Sequence, residues 1–196
     1  MRYHTTSVRR LIAVAAAAVA ALAISSAAYA ATSSPAARAA TAIPQCTAAL
    51  GQYGNVSVWV AVSQGNGTAG TTYYPLEFTN TSGHACSLFG YPGVSAISRT
   101  GQQLGSPASW GSLSGARRVI LAPGATAHTI LAYHDVAVST ERGCDPVYTT
   151  IELRIYPPDQ RLATYAAFDF EACSHAGVAY MGINEPIRAG VGTING

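Results

Sequence analysis

The sequence contains no lysine and few charged residues of any kind. Its 196 residues include 11 basic side chains, all arginine, and 9 acidic ones; charged residues make up 10% of the chain and hydrophobic residues 49%. This composition excludes a polybasic nucleic-acid binder and a disordered acidic tail. No window of eleven residues shows a convincing 3.6-residue hydrophobic period, which argues against a helical architecture.

The first thirty residues have the three parts of a secretory signal peptide. Residues 1–10 carry three arginines and no acidic residue, residues 11–24 (LIAVAAAAVAALAI) are uninterrupted apolar sequence, and residues 28–30 read Ala-Tyr-Ala. The apolar run is shorter than the roughly 20 residues that span a bilayer, so we expect cleavage after Ala30 and no stable membrane insertion afterwards. The pair Arg9-Arg10 fits the twin-arginine motif only partly, which leaves the general secretory and twin-arginine routes both open.

Removal of the signal peptide changes the charge balance. The mature chain keeps 11 − 3 = 8 arginines against 9 acidic residues, a net charge of about −1. Such a surface does not attract nucleic acid or anionic lipid. Residues 31–45, rich in Ala, Ser, Thr and Pro, are predicted to form a flexible linker, and residues 46–196 a single domain that is secreted, extracellular or associated with the cell wall.

The domain sequence is a succession of short apolar segments separated by turn signals. Val56, Val58, Val60 and Val62 alternate with other residues, as expected of a strand, and Pro75 within the next segment suggests an edge strand or a bulge. Further strands are predicted at residues 71–79, 86–89, 94–98, 102–104, 119–121, 127–133, 151–155, 164–170 and 178–183, with residues 106–115 as a loop. This pattern predicts an all-β fold, an immunoglobulin-like antiparallel β-sandwich stapled by two disulfides.

Four cysteines in an exported chain predict two disulfides, and a hairpin favours one pairing. Pro157 to Gln160 (PPDQ) is a strong turn signal between two predicted strands. If Pro157 faces Gln160, paired residue numbers sum to 317, which places Cys144 directly across the ladder from Cys173. We therefore predict the disulfides Cys144–Cys173 and, by elimination, Cys46–Cys86.

Several strings along the domain carry a family resemblance. They are CTAAL after the linker, FTNTSGHACSLFGYPGV, LAPGATAH, LRIYPPDQ and FDFEACS. In this order they resemble a secreted domain-of-unknown-function family, numbered 4232, of high-GC Gram-positive bacteria, over about Cys46 to Ile183. The resemblance implies a β-sandwich with two disulfides at or outside the cell envelope. It implies no reaction, ligand or functional residue.

The sequence contains residues that could serve two kinds of chemistry, metal binding and hydrolysis. The sequences His84-Ala85-Cys86 and Cys173-Ser174-His175 could bind Zn or Cu if the thiols were reduced, which defines the alternative function of an exported metal-binding domain. Oxidised cysteines remove those ligands, so we expect no metal site and no cofactor. The sequence contains neither G-x-S-x-G nor H-E-x-x-H, and His134-Asp135 would point to opposite faces of a strand, so we expect no enzyme.

Aromatic residues in predicted turns are the best candidates for ligand contact. Trp110, in a Gly/Ser-rich segment, is expected to be exposed, and Tyr91, Tyr73 and Tyr74 also lie in or beside turns. Trp59, Phe78 and Tyr156 are expected in the core. The sequence thus predicts a non-enzymatic domain that binds an envelope polymer or a secreted protein through its loops, and it contains no information on oligomeric state.

Overall fold

A computed structural model describes residues 42–48, 55–62, 65–136, 144, 146–149 and 152–194. The described residues form strands and no α-helix, so no helix among them could cross a membrane. The predicted signal peptide and residues 31–41 of the predicted linker lie outside the described residues. The strands are β1 (Val56–Val60), β2 (Asn66–Thr68), β3 (Thr71–Asn80), β4 (Cys86–Leu88), β5 (Gly93–Ile97), β6 (Gln103–Leu104), β7 (Ser109–Trp110), β8 (Val119–Leu121), β9 (Thr126–His134), β10 (Pro146–Thr149), β11 (Glu152–Tyr156), β12 (Thr164–Ala167), β13 (Phe170–Cys173), β14 (Met181–Ile183) and β15 (Arg188–Ala189).

The largest sheet has seven strands. Its order is β1-β3-β9-β14-β7, with β2 also paired to β3 and β15 also paired to β9. The long β3–β9 ladder runs from Thr71 opposite His134 to Thr79 opposite Thr126. We predicted an antiparallel sandwich, but β14 and β7 pair in parallel, with Gly182 opposite Ser109 and Ile183 opposite Trp110.

A second sheet has four strands in the order β12-β11-β5-β6. Leu153 and Ile155 of β11 point into the core, where they join residues of the larger sheet, such as Leu76 and Phe78, in one hydrophobic cluster. Glu152, Arg154 and Tyr156 alternate with them and therefore lie on the opposite, outer face. Two short pairs, β4–β8 and β10–β13, complete the described architecture.

Both predicted disulfides are confirmed, although the register used to predict one of them is wrong. Cys46 is bonded to Cys86, and Cys144 to Cys173. Gln160 N–H donates to Pro157 O across the predicted turn, but the ladder pairs Ile155 with Thr164 and therefore sums to 319 instead of 317. Two additional residues after the turn account for the difference. Pro146 lies opposite Cys173, and the disulfide crosses the ladder diagonally.

Three local expectations are also corrected. Val62 is exposed, because β1 ends at Val60 and Val62 lies beyond the strand. Trp59 was expected in the core but is 45% exposed, on the outer face of β1. Pro75 lies in a central strand and not at an edge; it is tolerated where β1 and β2 leave a gap along the same side of β3.

Candidate functional site

An aromatic cleft lies at one end of the four-stranded sheet. Three segments distant in sequence build it: the turn before β5, the chain at and after β7, and the hairpin turn after β11. The cleft has a volume of about 410 Å³. Its lining residues are Phe89, Gly90, Tyr91, Gly93, Trp110, Leu113, Tyr156, Pro157, Asp159 and Gln160.

Trp110 is exposed and yet held in place from two directions. Its indole Nε1–H donates to Pro92 O at 2.8 Å, and its ring stacks on Tyr91 with centroids 6.0 Å apart and planes inclined by 13°. The backbone is fixed as well, because Trp110 in β7 pairs with Ile183 of β14. The side chain remains 60% exposed. The prediction that Trp110 is exposed is therefore confirmed.

Tyr91 supports this ring from below. It is only 6% exposed, and its hydroxyl donates to Ser112 O at 2.6 Å. A Cβ at Gly111 would lie 3.2 Å from that hydroxyl oxygen and 3.0 Å from Asn184 O, so the chain between Trp110 and Ser112 passes close to both. Tyr91 therefore orders the cleft from within and offers little of its own surface to a ligand.

The cleft also contains polar groups at its rim. Asp159 is exposed in the turn and has a left-handed backbone conformation, with φ of 59°. Gln160 is half-buried, and its side-chain amide donates to the Gln45 side-chain oxygen at 3.0 Å. Carboxylate and amide groups beside exposed rings can bind hydroxyl groups by hydrogen bonds.

A second cleft, of about 450 Å³, opens on the same face of the four-stranded sheet. Arg154 of β11 lines it; Nη2 of its guanidinium donates to the Gln103 side-chain oxygen at 2.9 Å. The guanidinium also lies 5.8 Å from the centre of the Tyr156 ring, which belongs to the aromatic cleft. Its other lining residues are Ile97, Ser98, Arg99, Gly101, Glu152 and Tyr165.

The remaining predicted contact residues lie elsewhere. Tyr73 and Tyr74 are in β3 of the larger sheet, on opposite faces, and neither lines the aromatic cleft. Tyr74 packs edge-on against Phe168, with ring centroids 4.9 Å apart. Tyr156, expected in the core, is half-buried and lines the cleft. Sequence analysis missed Phe89, which follows β4 and is exposed.

The alternative metal site has no support in the part of the chain that the structure describes. Cys86 and Cys173 are in disulfides, so neither thiolate is available beside His84 or His175. No group of three or more His, Cys, Asp or Glu side chains among the described residues could hold a metal ion. His134 instead lies across the ladder from Thr71, with Nδ1 2.8 Å from the threonine hydroxyl.

A buried carboxyl group was not anticipated. Glu77 lies on the outer face of β3, opposite His128 of β9, and is fully buried because residues 190–194 cover it. Its Oε1 accepts a hydrogen bond from Gly192 N–H at 2.8 Å, while Oε2 has no partner among the described residues. Burial raises the pKa of Glu77, and the Gly192 N–H and the His128 ring partly offset that rise. This group lies on the larger sheet and lines neither cleft.

A family model described as a domain of unknown function, DUF4232, matches residues 46–182. The matched range includes all four cysteines and every residue that lines the two clefts. No curated protein matches the chain.

Proposed function

The chain belongs to the DUF4232 family, whose description names no activity, so we propose its function from the aromatic cleft. The protein is an exported, non-enzymatic module that binds a polysaccharide of the cell envelope. In this proposal the sheets form an immunoglobulin-like β-sandwich, and the four-stranded sheet is its binding layer. The predicted signal peptide and the complete pairing of the cysteines support export, because structural disulfides persist in oxidising compartments.

The single observation that carries this proposal is the immobilised, exposed ring of Trp110. Binding normally costs about 0.5–1.5 kcal/mol for each flexible side chain that becomes fixed. Trp110 avoids most of that cost, because its Nε1–H bond to Pro92 O and its stack on Tyr91 already fix its orientation. A flat, fixed apolar surface next to polar groups suits a sugar ring, which has apolar faces and a rim of hydroxyl groups.

Co-sedimentation with isolated cell wall tests the proposal. We expect the mature protein, residues 31–196, to sediment with wall from a Gram-positive bacterium. Trp110→Ala should weaken binding about thirtyfold, which corresponds to about 2 kcal/mol, the lower end of the range for central aromatic anchors. Trp59→Ala is the matched control, because Trp59 is also an exposed tryptophan but lies on the larger sheet. Near-ultraviolet circular dichroism of each variant verifies that the fold is retained.

Two results would contradict the proposal. Equal loss of binding in the two variants would show that Trp110 has no special role. Sedimentation that is abolished by protease treatment of the wall, and unaffected by glycan hydrolases, would identify a protein partner instead.

A further inference from the structure

The two clefts lie in succession along one strand. On the outer face of β11, Tyr156 lies in the aromatic cleft and Glu152 in the second, and Arg154 stands between them. Four residues of strand separate Tyr156 from Glu152, which corresponds to about 13 Å. A ligand that spans both clefts must therefore be an extended chain of several units.

Residues of β5, the strand paired with β11, line the two clefts in the same order. Gly93, opposite Tyr156, lines the aromatic cleft, while Ile97, opposite Glu152, lines the second cleft. A Cβ at Gly93 would lie 3.5 Å from the Tyr156 Cβ, so a larger side chain there would occupy the space beside the ring. Glycine at this position leaves that part of the aromatic cleft open.

The second cleft differs from the first in its charge. Arg99 and Arg154 line it together with Glu152, a formal charge of 2 − 1 = +1. The Arg154 Nη2–H donates to the side-chain oxygen of Gln103, and the Gln103 side-chain N–H in turn donates to Gly105 O at 3.2 Å. The Arg154 Nε–H is buried and has no acceptor among the described residues. An oxyanion can accept two parallel N–H bonds from one edge of a guanidinium, where the Gln103 oxygen accepts one.

We propose that the two clefts form one extended site for a linear acidic polysaccharide. One sugar unit stacks on Trp110, and a carboxylate or phosphate of a unit further along the chain is bound by Arg154. The Arg154 side chain reorients away from Gln103 to present Nε and Nη2 to that group. This inference rests on the proposed function, because it assumes that the aromatic cleft binds sugars.

Calorimetric titration with defined oligosaccharides tests the extended site. The probes are galacturonate oligomers of two and eight units, glucose oligomers of the same lengths, and a chain of phosphate-linked sugar units similar in length to the octamers. We expect the acidic octamer to bind about fivefold more tightly than the neutral octamer at low salt. This preference should vanish at 1 M salt, where the Debye length is about 3 Å. Binding of the phosphate chain in place of galacturonate would also support the site and would identify phosphate as the group that Arg154 binds.

Variants separate this inference from the function on which it rests. Arg154→Gln should abolish the preference for the acidic octamer and leave the dimers unaffected, whereas Trp110→Ala should weaken every probe. Arg154→Lys keeps the charge but loses the planar fork, so it should retain part of the salt-dependent preference. Arg188→Gln removes an exposed arginine on the larger sheet and should change nothing.

The opposing results are distinct. If Trp110→Ala weakens neutral and acidic oligomers and Arg154→Gln changes neither, the extended site is wrong and the aromatic site stands. The same conclusion follows if dimers and octamers bind wild-type protein equally well. If no oligomer and no wall fraction binds, the proposed function fails together with the inference.

Discussion

The substitution Gly192→Ala adds a single methyl group and should destabilise the domain, because that group would disturb two separate contacts of the C-terminal segment. Residues 190–194 cross the outer face of the larger sheet, where Gly192 is buried above Pro75 and His128. A Cβ at Gly192 would lie 2.7 Å from the Pro75 Cβ and 3.0 Å from the His128 ring. Neither neighbour is the far end of a flexible side chain, so the C-terminal segment itself must move.

The expected loss in unfolding free energy depends on the contacts that this movement breaks. Overpacking of a well-filled site costs about 1–3 kcal/mol. If the segment lifts to relieve the clash, the Gly192 N–H withdraws from the Glu77 carboxyl group, and a hydrogen bond to a charged group contributes about 1.5–3 kcal/mol. Because the segment can relieve one cost only by incurring the other, we expect a decrease of about 1–3 kcal/mol in the free energy of unfolding.

Urea unfolding of the oxidised protein at pH 7 measures this decrease. Gly83→Ala is the control, because a Cβ there meets nothing within 4 Å, and its effect should stay within about 0.5 kcal/mol. Amide hydrogen exchange should also accelerate at residues 190–194 in Gly192→Ala. A midpoint for Gly192→Ala that coincides with that of Gly83→Ala would refute the reasoning.

Three further predictions concern the core and its crosslinks. A raised pKa means that folded protein binds the Glu77 proton more tightly than unfolded protein does, so the unfolding free energy falls as pH rises from about 4.5 through the raised pKa. Glu77→Gln should remove this pH dependence, so the variant should become more stable relative to wild type as pH rises. A difference in unfolding free energy between variant and wild type that stays constant from pH 4 to pH 8 would contradict this prediction. Tyr180→Phe should cost about 1–2 kcal/mol in urea unfolding, because its buried hydroxyl donates to Leu104 O at 3.0 Å; a change below about 0.5 kcal/mol would show that this bond contributes little. Replacement of both Cys46 and Cys86 by alanine opens a loop of 40 residues and should cost about 4 kcal/mol, and replacement of Cys144 and Cys173, with a separation of 29 residues, should cost nearly as much. A loss below about 1 kcal/mol in thermal unfolding for either pair would exclude loop entropy as the dominant cause.

The strands were predictable from sequence wherever one face is buried. The alternation of Val56, Val58 and Val60 follows directly from burial of one face of β1, and the prediction of a strand there is confirmed. The pairing of Cys144 with Cys173 was also predictable, because both cysteines flank one hairpin. Its register was not, because a turn signal marks where the chain reverses and not how many residues bulge before the ladder resumes.

The candidate site was predictable only in part. Trp110 stood out because a tryptophan in a Gly/Ser-rich segment has few neighbours in sequence with which to form a core. Trp110 stacks on Tyr91, 19 positions away, and pairs in parallel with Ile183, 73 positions away. No local sequence pattern encodes contacts over such separations. Arg154 was passed over for the same reason, since a charged residue on the outer face of a strand is ordinary until a second cleft is found beside it.

The two disulfides also determine how the domain would respond to tension. A pull applied before Cys46 passes through the disulfide to Cys86, so residues 47–85, which include β1, β2 and β3, lie outside the covalent path of the force. The Cys144–Cys173 bond likewise shields the hairpin of β11 and β12, which includes Arg154 and Tyr156 of the clefts. Reduction would release up to about 140 Å of chain from the 40-residue loop and about 100 Å from the 29-residue loop. In the oxidised domain, the chain that a pull on the two ends can draw out is therefore limited to residues 86–144 and the residues after Cys173, and β11 lies outside that path.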